Sequence, residues 1–290
     1  MRLIIIFLLL LSCLPAPVLA KPIMTVGVSL LPQKYFVERV AGEAREIIVM
    51  AGAGYNPVTY EPKPKQLARL KQASIYFLAG VPFEKKWISV FERNNPDMKL
   101  VSLTQGMKLR EYKFTVSELH SHGDASHHEN IDPHFWLSPA FVEIAAKTIL
   151  DTLIEKDPER QEMYQKNYSE FISDLRKLDK QLRIKLSNLK NKEFAVFHPS
   201  WGYFADAYGL KQVTIEAQNR QSGARTLNDT INKIRDMNIK VIFVQKQFSE
   251  TDALMIGRET GARLVTVDPL AENYIENIDV VSTLFAEALQ

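Results

Sequence analysis

The sequence predicts two α/β lobes of parallel sheet joined by one long helix. Three observations carry this. Short β-branched runs alternate with helical patterns in the first part of the chain. A stretch from Pro158 to Leu189 then holds no Gly and no further Pro, and carries a helical apolar stripe. After it, the alternation of strands and helices resumes.

Taken in order, Met24 to Leu30 reads as a strand and Gln33 to Ala41 as a helix. Ile47 to Val49 and Ile75 to Leu78 read as buried strands, with a Pro-rich turn and the helical Lys65 to Ala73 between them. Leu100 to Ser102 is a further strand after the turn signal Asn95-Pro96. The long helix places Tyr164, Tyr168, Phe171, Leu175, Leu178, Leu182, Leu186 and Leu189 at steps of three and four. About 30 residues at 1.5 Å each span about 45 Å, the width of a domain. Its basic residues, Arg176, Lys177, Lys180, Arg183 and Lys185, read as a solvated outer face. Beyond it, Glu193 to Phe197, Val213 to Ile215, Val241 to Val244 and Leu264 to Val267 read as strands. Thr226 to Asp236 and Glu250 to Thr260 read as helices between them. The expected division is a leader at 1–20, an N-terminal lobe at 21–157, a linker helix at 158–190 and a C-terminal lobe at 191–290.

The leader is expected because Arg2 precedes the apolar run Leu3 to Leu11, and Val18, Leu19 and Ala20 precede Lys21. That is the pattern of a secretory signal peptide cleaved after Ala20. Leu10, Leu11, Ser12 and Cys13 loosely resemble a bacterial lipobox, so lipid anchoring at Cys13 is the rival reading. Leu11 fits poorly where a small residue is expected. Either route exports the chain. Cys13 is the only cysteine, so stability must come from the core and not from an internal disulfide. The formal net charge of +2 gives no strongly basic surface, and nucleic acid is not an expected partner. No segment after the leader is apolar enough to cross a membrane as a helix.

Five of the six histidines fall between Ser117 and Pro139. His120, His122, His127 and His128 sit among Ser, Gly, Asp, Ala, Asn and Glu, a composition that cannot form a core. It reads as a polar loop, 118–130, that is either solvated or an accessory metal binder. His134 differs, because prolines flank it in Asp-Pro-His-Phe-Trp-Leu and restrict the backbone. His198 follows the apolar run Phe194 to Phe197, and Asp268 follows Leu264 to Val267. Both therefore stand where ligands bind in parallel sheets, just past the carboxyl ends of strands. Two imidazoles and a carboxylate suit Zn²⁺, which accepts nitrogen and oxygen alike. Each alone could instead be a structural hydrogen-bonding group. Enzyme signatures are poor: no HExxH, no G-x-S-x-G around Ser200, and no Walker or Rossmann glycine pattern. A zinc hydrolase using an open coordination position lacks a positioned general base.

The blocks Asn56 to Gln66, Ala79 to Trp87, Asp132 to Pro139, Phe197 to Leu210, Val241 to Ser249 and Val267 to Ile278 together resemble one family. It is the zinc-binding subgroup of the metal-specific substrate-binding proteins of bacterial ABC transporters, and the resemblance spans essentially the whole mature chain. It implies two α/β lobes linked by a rigid helix, with metal in the cleft between them. It also implies a periplasmic, monomeric, non-enzymatic protein that delivers Zn²⁺, or less readily Mn²⁺, to an inner-membrane permease. By this resemblance His134, His198 and Asp268 are metal ligands, and histidine at 198 favours zinc over manganese.

The chain departs from the family pattern in two places. Val58 stands where the family has its first ligand histidine, and Lys246 stands where relatives often have Pro, placing a cation near a strand end. The fourth ligand is then expected to be water, Glu61 or a loop histidine, with weaker zinc binding. An exported metal-sensing or adhesive protein with a degenerate cleft is the alternative that Val58 motivates.

Overall fold

The computed structural model describes residues 24–42, 46–111, 131–215, 224–246 and 250–290. The leader, Cys13 and the four loop histidines lie outside the described residues.

The first lobe is a four-stranded sheet in the order β2-β1-β3-β4, every pair parallel: β1 (Thr25–Leu30), β2 (Glu46–Ala51), β3 (Ala73–Leu78) and β4 (Lys99–Ser102). β1 is buried at all six positions, which is why it reads as a continuous apolar run and not an alternating one. Gly27 sits in β1 beneath the ring of Tyr76 and the methyls of Leu70, and a Cβ there would collide with both.

Four helices of this region begin with proline in their first turn, where the missing N–H costs nothing: α1 (Leu31–Ala41), α2 (Pro64–Leu70), α3 (Pro82–Asn94) and α4 (Pro139–Lys156). α2 is shorter than the helix expected over Lys65 to Ala73. Ala73 already pairs with Thr25 as the first residue of β3, so sheet pairing overrides the local helical pattern there.

α5 (Gln161–Leu186) follows a 3₁₀ turn at Pro158–Arg160 and runs for 26 residues, about 39 Å. Its stripe of Tyr164, Phe171, Leu175, Leu178, Leu182 and Leu186 is buried against α1 and α4 on one side and against α6 (Gly202–Tyr208) and α9 (Tyr274–Ala288) on the other. Of the five basic residues from Arg176 to Lys185, three pair within the chain: Arg176 with Glu143, Arg183 with Asp179, and Lys185 with Asp279.

The second lobe repeats the pattern of the first in the order β6-β5-β7-β8, again all parallel, with β5 (Glu193–Val196), β6 (Lys211–Thr214), β7 (Val241–Gln245) and β8 (Arg263–Val267). α7 (Ala224–Asp236) and α8 (Glu250–Thr260) lie between its strands. One apolar core runs through both lobes. Tyr274 of α9 meets Phe36 of α1 edge-on at 5.0 Å, and Phe285 of α9 stacks on Phe243 of β7 at 4.0 Å. The chain order reverses between β5 and β7, which marks the carboxyl edge there as a ligand-binding position.

Candidate metal centre

The segment from Asp132 to Pro139 is buried throughout, although it contains one 3₁₀ turn (Phe135–Leu137) and no strand. Phe135 and Trp136 insert into the core and fix the backbone immediately after His134. The Asp132 carboxylate accepts both the backbone N–H of His134, at 3.0 Å, and its ring Nδ1, at 2.7 Å. A carboxylate accepting from Nδ1 requires a proton there, so in the neutral form of the ring the lone pair lies on Nε2. This is the outer partner that orients a metal-binding imidazole.

Asp132 is itself held from across the molecule. The guanidinium Nε of Arg110 lies 3.5 Å from its second oxygen. The Tyr203 hydroxyl, on α6, donates to the Asp132 carbonyl at 2.8 Å and accepts the Arg110 backbone N–H at 2.9 Å. Arg110 also donates to the Gly202 carbonyl and the Asp206 carboxylate. Gly202 is required for this approach, since a Cβ would lie 2.6 Å from the Arg110 Nε.

His198 follows β5 by way of the buried Phe197, and its carbonyl accepts the Ser200 N–H at 2.8 Å and the Gln245 side-chain N–H at 3.3 Å. Its Nε2 lies 3.3 Å from Nε2 of His134. Burial, and secondarily the neighbouring His134, push the His198 pKa down to about 3, so this ring is neutral at physiological pH. Two nitrogens on a tetrahedral Zn²⁺, each about 2.05 Å from the metal, are about 3.3 Å apart. The observed separation therefore equals one edge of a tetrahedral zinc site, and is also short enough for a hydrogen bond between the rings.

Asp268 follows β8. Its Oδ1 accepts the Leu270 N–H at 2.9 Å, and its Oδ2 lies 3.7 Å from the Lys246 ammonium. Trp136 Nε1 donates to the Pro269 carbonyl at 2.8 Å, which ties the loop of Asp268 to the loop of His134. Among the described residues no group of three or more His, Cys, Asp and Glu side chains is close enough to hold a metal. The structure thus brings His134 and His198 together, and ties the Asp268 loop to the His134 loop through Trp136 and Pro269. Glu61 is exposed and ion-paired with Lys86. Val58 is exposed in a turn, its N–H held by the Asn56 side chain at 2.9 Å.

Sequence reasoning did not single out Asp132, Arg110 or Tyr203. The first had a signal, a carboxylate two residues before a histidine with proline between; the other two depend on contacts between lobes.

A family model described as zinc-uptake complex component A, periplasmic, matches residues 26–288. The chain belongs to this family. The chain is 29% identical over 259 residues to the zinc-binding lipoprotein AdcA of Streptococcus pneumoniae, a match covering 84% of this chain and 51% of that protein. It thus spans about half the length of that curated relative. It is 28% identical over 243 residues to the high-affinity zinc uptake system protein ZnuA of Bacillus subtilis, covering 82% of this chain and 76% of that one. Among solved structures, a deletion mutant of ZnuA with zinc bound superposes with a TM-score of 0.82 at 34% identity, over 93% of this chain and 99% of the other. The fold expected from the sequence is the fold of this zinc-uptake family.

Proposed function

We propose that this chain is the extracytoplasmic zinc-binding protein of an ABC-type importer, capturing Zn²⁺ between its lobes and delivering it to an inner-membrane permease. Zn²⁺ is the cargo. His134 and His198 bind it through their facing Nε2 atoms, and Asp268 joins as a third ligand through Oδ2. The single observation that carries this reading is the 3.3 Å separation of the two Nε2 atoms, with Asp132 holding the first ring in the metal-binding tautomer. Family membership supplies the transport role. The protein acts as a monomer in the periplasm, released there by cleavage after Ala20. Its role is transport and not catalysis. The sensing or adhesive alternative rests on Val58 alone and gains no support from the described residues.

The test is calorimetric titration of the metal-stripped protein with Zn²⁺, using a variant lacking 118–130 to remove the loop histidines. One saturable site that survives the deletion and is lost in His198→Ala supports the reading. Zinc binding that disappears with the loop, or that is indifferent to His198→Ala, overturns it.

A further inference from the structure

The carboxyl edge of the second sheet presents His198 after β5, Lys246 after β7 and Asp268 after β8, on three strands adjacent in the sheet. Gln245, the last residue of β7, donates from its side chain to the His198 carbonyl and the Ser200 hydroxyl, which fastens the start of the Lys246 segment beside the histidine loop. Lys246 therefore emerges beside the candidate metal centre, and its ammonium points to Asp268.

The two carboxylate oxygens of Asp268 are not equivalent. Oδ1 accepts a backbone N–H two residues on, at Leu270, a donor fixed by the turn that carries the aspartate. Oδ2 faces Lys246 Nζ at 3.7 Å. Oδ1 has one of its lone pairs committed to the turn, so a cation that recruits Asp268 without competing with that bond finds more room at Oδ2, the oxygen beside the ammonium. The Lys246 side chain is 66% exposed and that of Asp268 is 19% exposed, so the lysine can swing into solvent while the aspartate stays in place.

We propose that Lys246 is an affinity-setting residue that competes with Zn²⁺ for Oδ2 of Asp268, lowering affinity and hastening release. The inference rests on Asp268 being a zinc ligand. An exposed, displaceable ion pair of this kind is weak, so its effect is up to about fivefold in affinity. As the metal departs, the ammonium returns to the carboxylate and lowers the chance of rebinding. That suits a protein that has to surrender its cargo. Lysine does this because its charge is a point on a flexible stem. A neutral side chain would take the competing charge away from Oδ2, and arginine would keep it.

The experiment measures zinc affinity by competition with a chromophoric chelator, and zinc release by stopped flow. The proteins are the full exported chain, Lys246→Met, Lys246→Arg, Asp268→Asn and the Lys246→Met/Asp268→Asn double variant. Lys246→Met is expected to bind zinc about three- to fivefold more tightly, chiefly through slower release. Lys246→Arg is expected to stay close to the unaltered chain. In the Asp268→Asn background Lys246→Met should change nothing, because the contested carboxylate charge is gone. An unchanged or weakened affinity in Lys246→Met overturns the proposal, as does the same tightening in both backgrounds, which would mean a general charge effect. If Asp268→Asn alone leaves zinc affinity intact, the ligand assignment fails, and that result is read independently of Lys246.

Discussion

The indole N–H of Trp136 donates to the carbonyl of Pro269 at 2.8 Å, so the loop carrying His134 and the loop carrying Asp268 are fastened to each other within the core. The two candidate ligands belong to different lobes, and this bond ties their loops directly to each other. Trp136→Phe keeps the ring in place but leaves the Pro269 carbonyl without this donor. A loss of stability of about 1–3 kcal/mol is expected, together with weaker zinc binding. Denaturant unfolding and zinc titration of the same variant check both, and unaltered zinc affinity would show that the loops are held by other contacts.

Asp132 determines how His134 presents its nitrogen. Asp132→Asn replaces an acceptor that fixes the Nδ1–H tautomer with a group that can also donate. Zinc affinity should fall by about 10- to 100-fold while far-UV circular dichroism stays unchanged. Gly202→Ala should act on the same arrangement from the other lobe, because its methyl would displace Arg110 from beside Asp132. Equal zinc affinities in Gly202→Ala and the unaltered chain would remove Arg110 from this account.

Val58, which the family resemblance puts at the place of a ligand histidine, lies in an exposed turn, so a larger polar side chain fits there without disturbing the core. Val58→His is expected to raise zinc affinity about tenfold or more, with unfolding free energy unchanged. A titration showing no gain would mean that this turn does not face the metal.

Glu84 gives a pH dependence that is separate from zinc. It is buried at the start of α3, accepts the Ala79 and Gly80 N–H groups at 2.7 and 2.8 Å, and is bonded to Ser29, which also bonds the Tyr76 hydroxyl. Burial raises its pKa from 4.5 to about 7, against the lowering effect of those hydrogen bonds. Between these two values the folded chain keeps a proton that the unfolded chain has lost. This contribution to stability is therefore complete below about pH 4.5 and is lost as pH rises through about 7. It amounts to about 3 kcal/mol. Urea unfolding at pH 5 and pH 8 should show the loss, and Glu84→Gln should flatten it. A pH-independent difference between the two proteins would place the ionisation of Glu84 elsewhere.

The sequence by itself determined the architecture. β-branched runs such as Val26 to Leu30 can satisfy both faces only inside a covered parallel sheet, and the spacing from Tyr164 to Leu186 fits only a helix buried along one stripe. It also marked His134, His198 and Asp268, because residues just past parallel strands and proline-fixed turns are legible locally. What only the tertiary structure decided was convergence. His134 and His198 are 64 residues apart, and no local pattern encodes that their Nε2 atoms meet at 3.3 Å. The same holds for Arg110 reaching α6, and for Lys246 lying against Asp268. Strand order places β7 beside β8 at one sheet edge, and that pairing joins segments that no local pattern links. Periodicity reports which face of an element is buried. Which side chains meet across the cleft depends on contacts between elements distant in the chain.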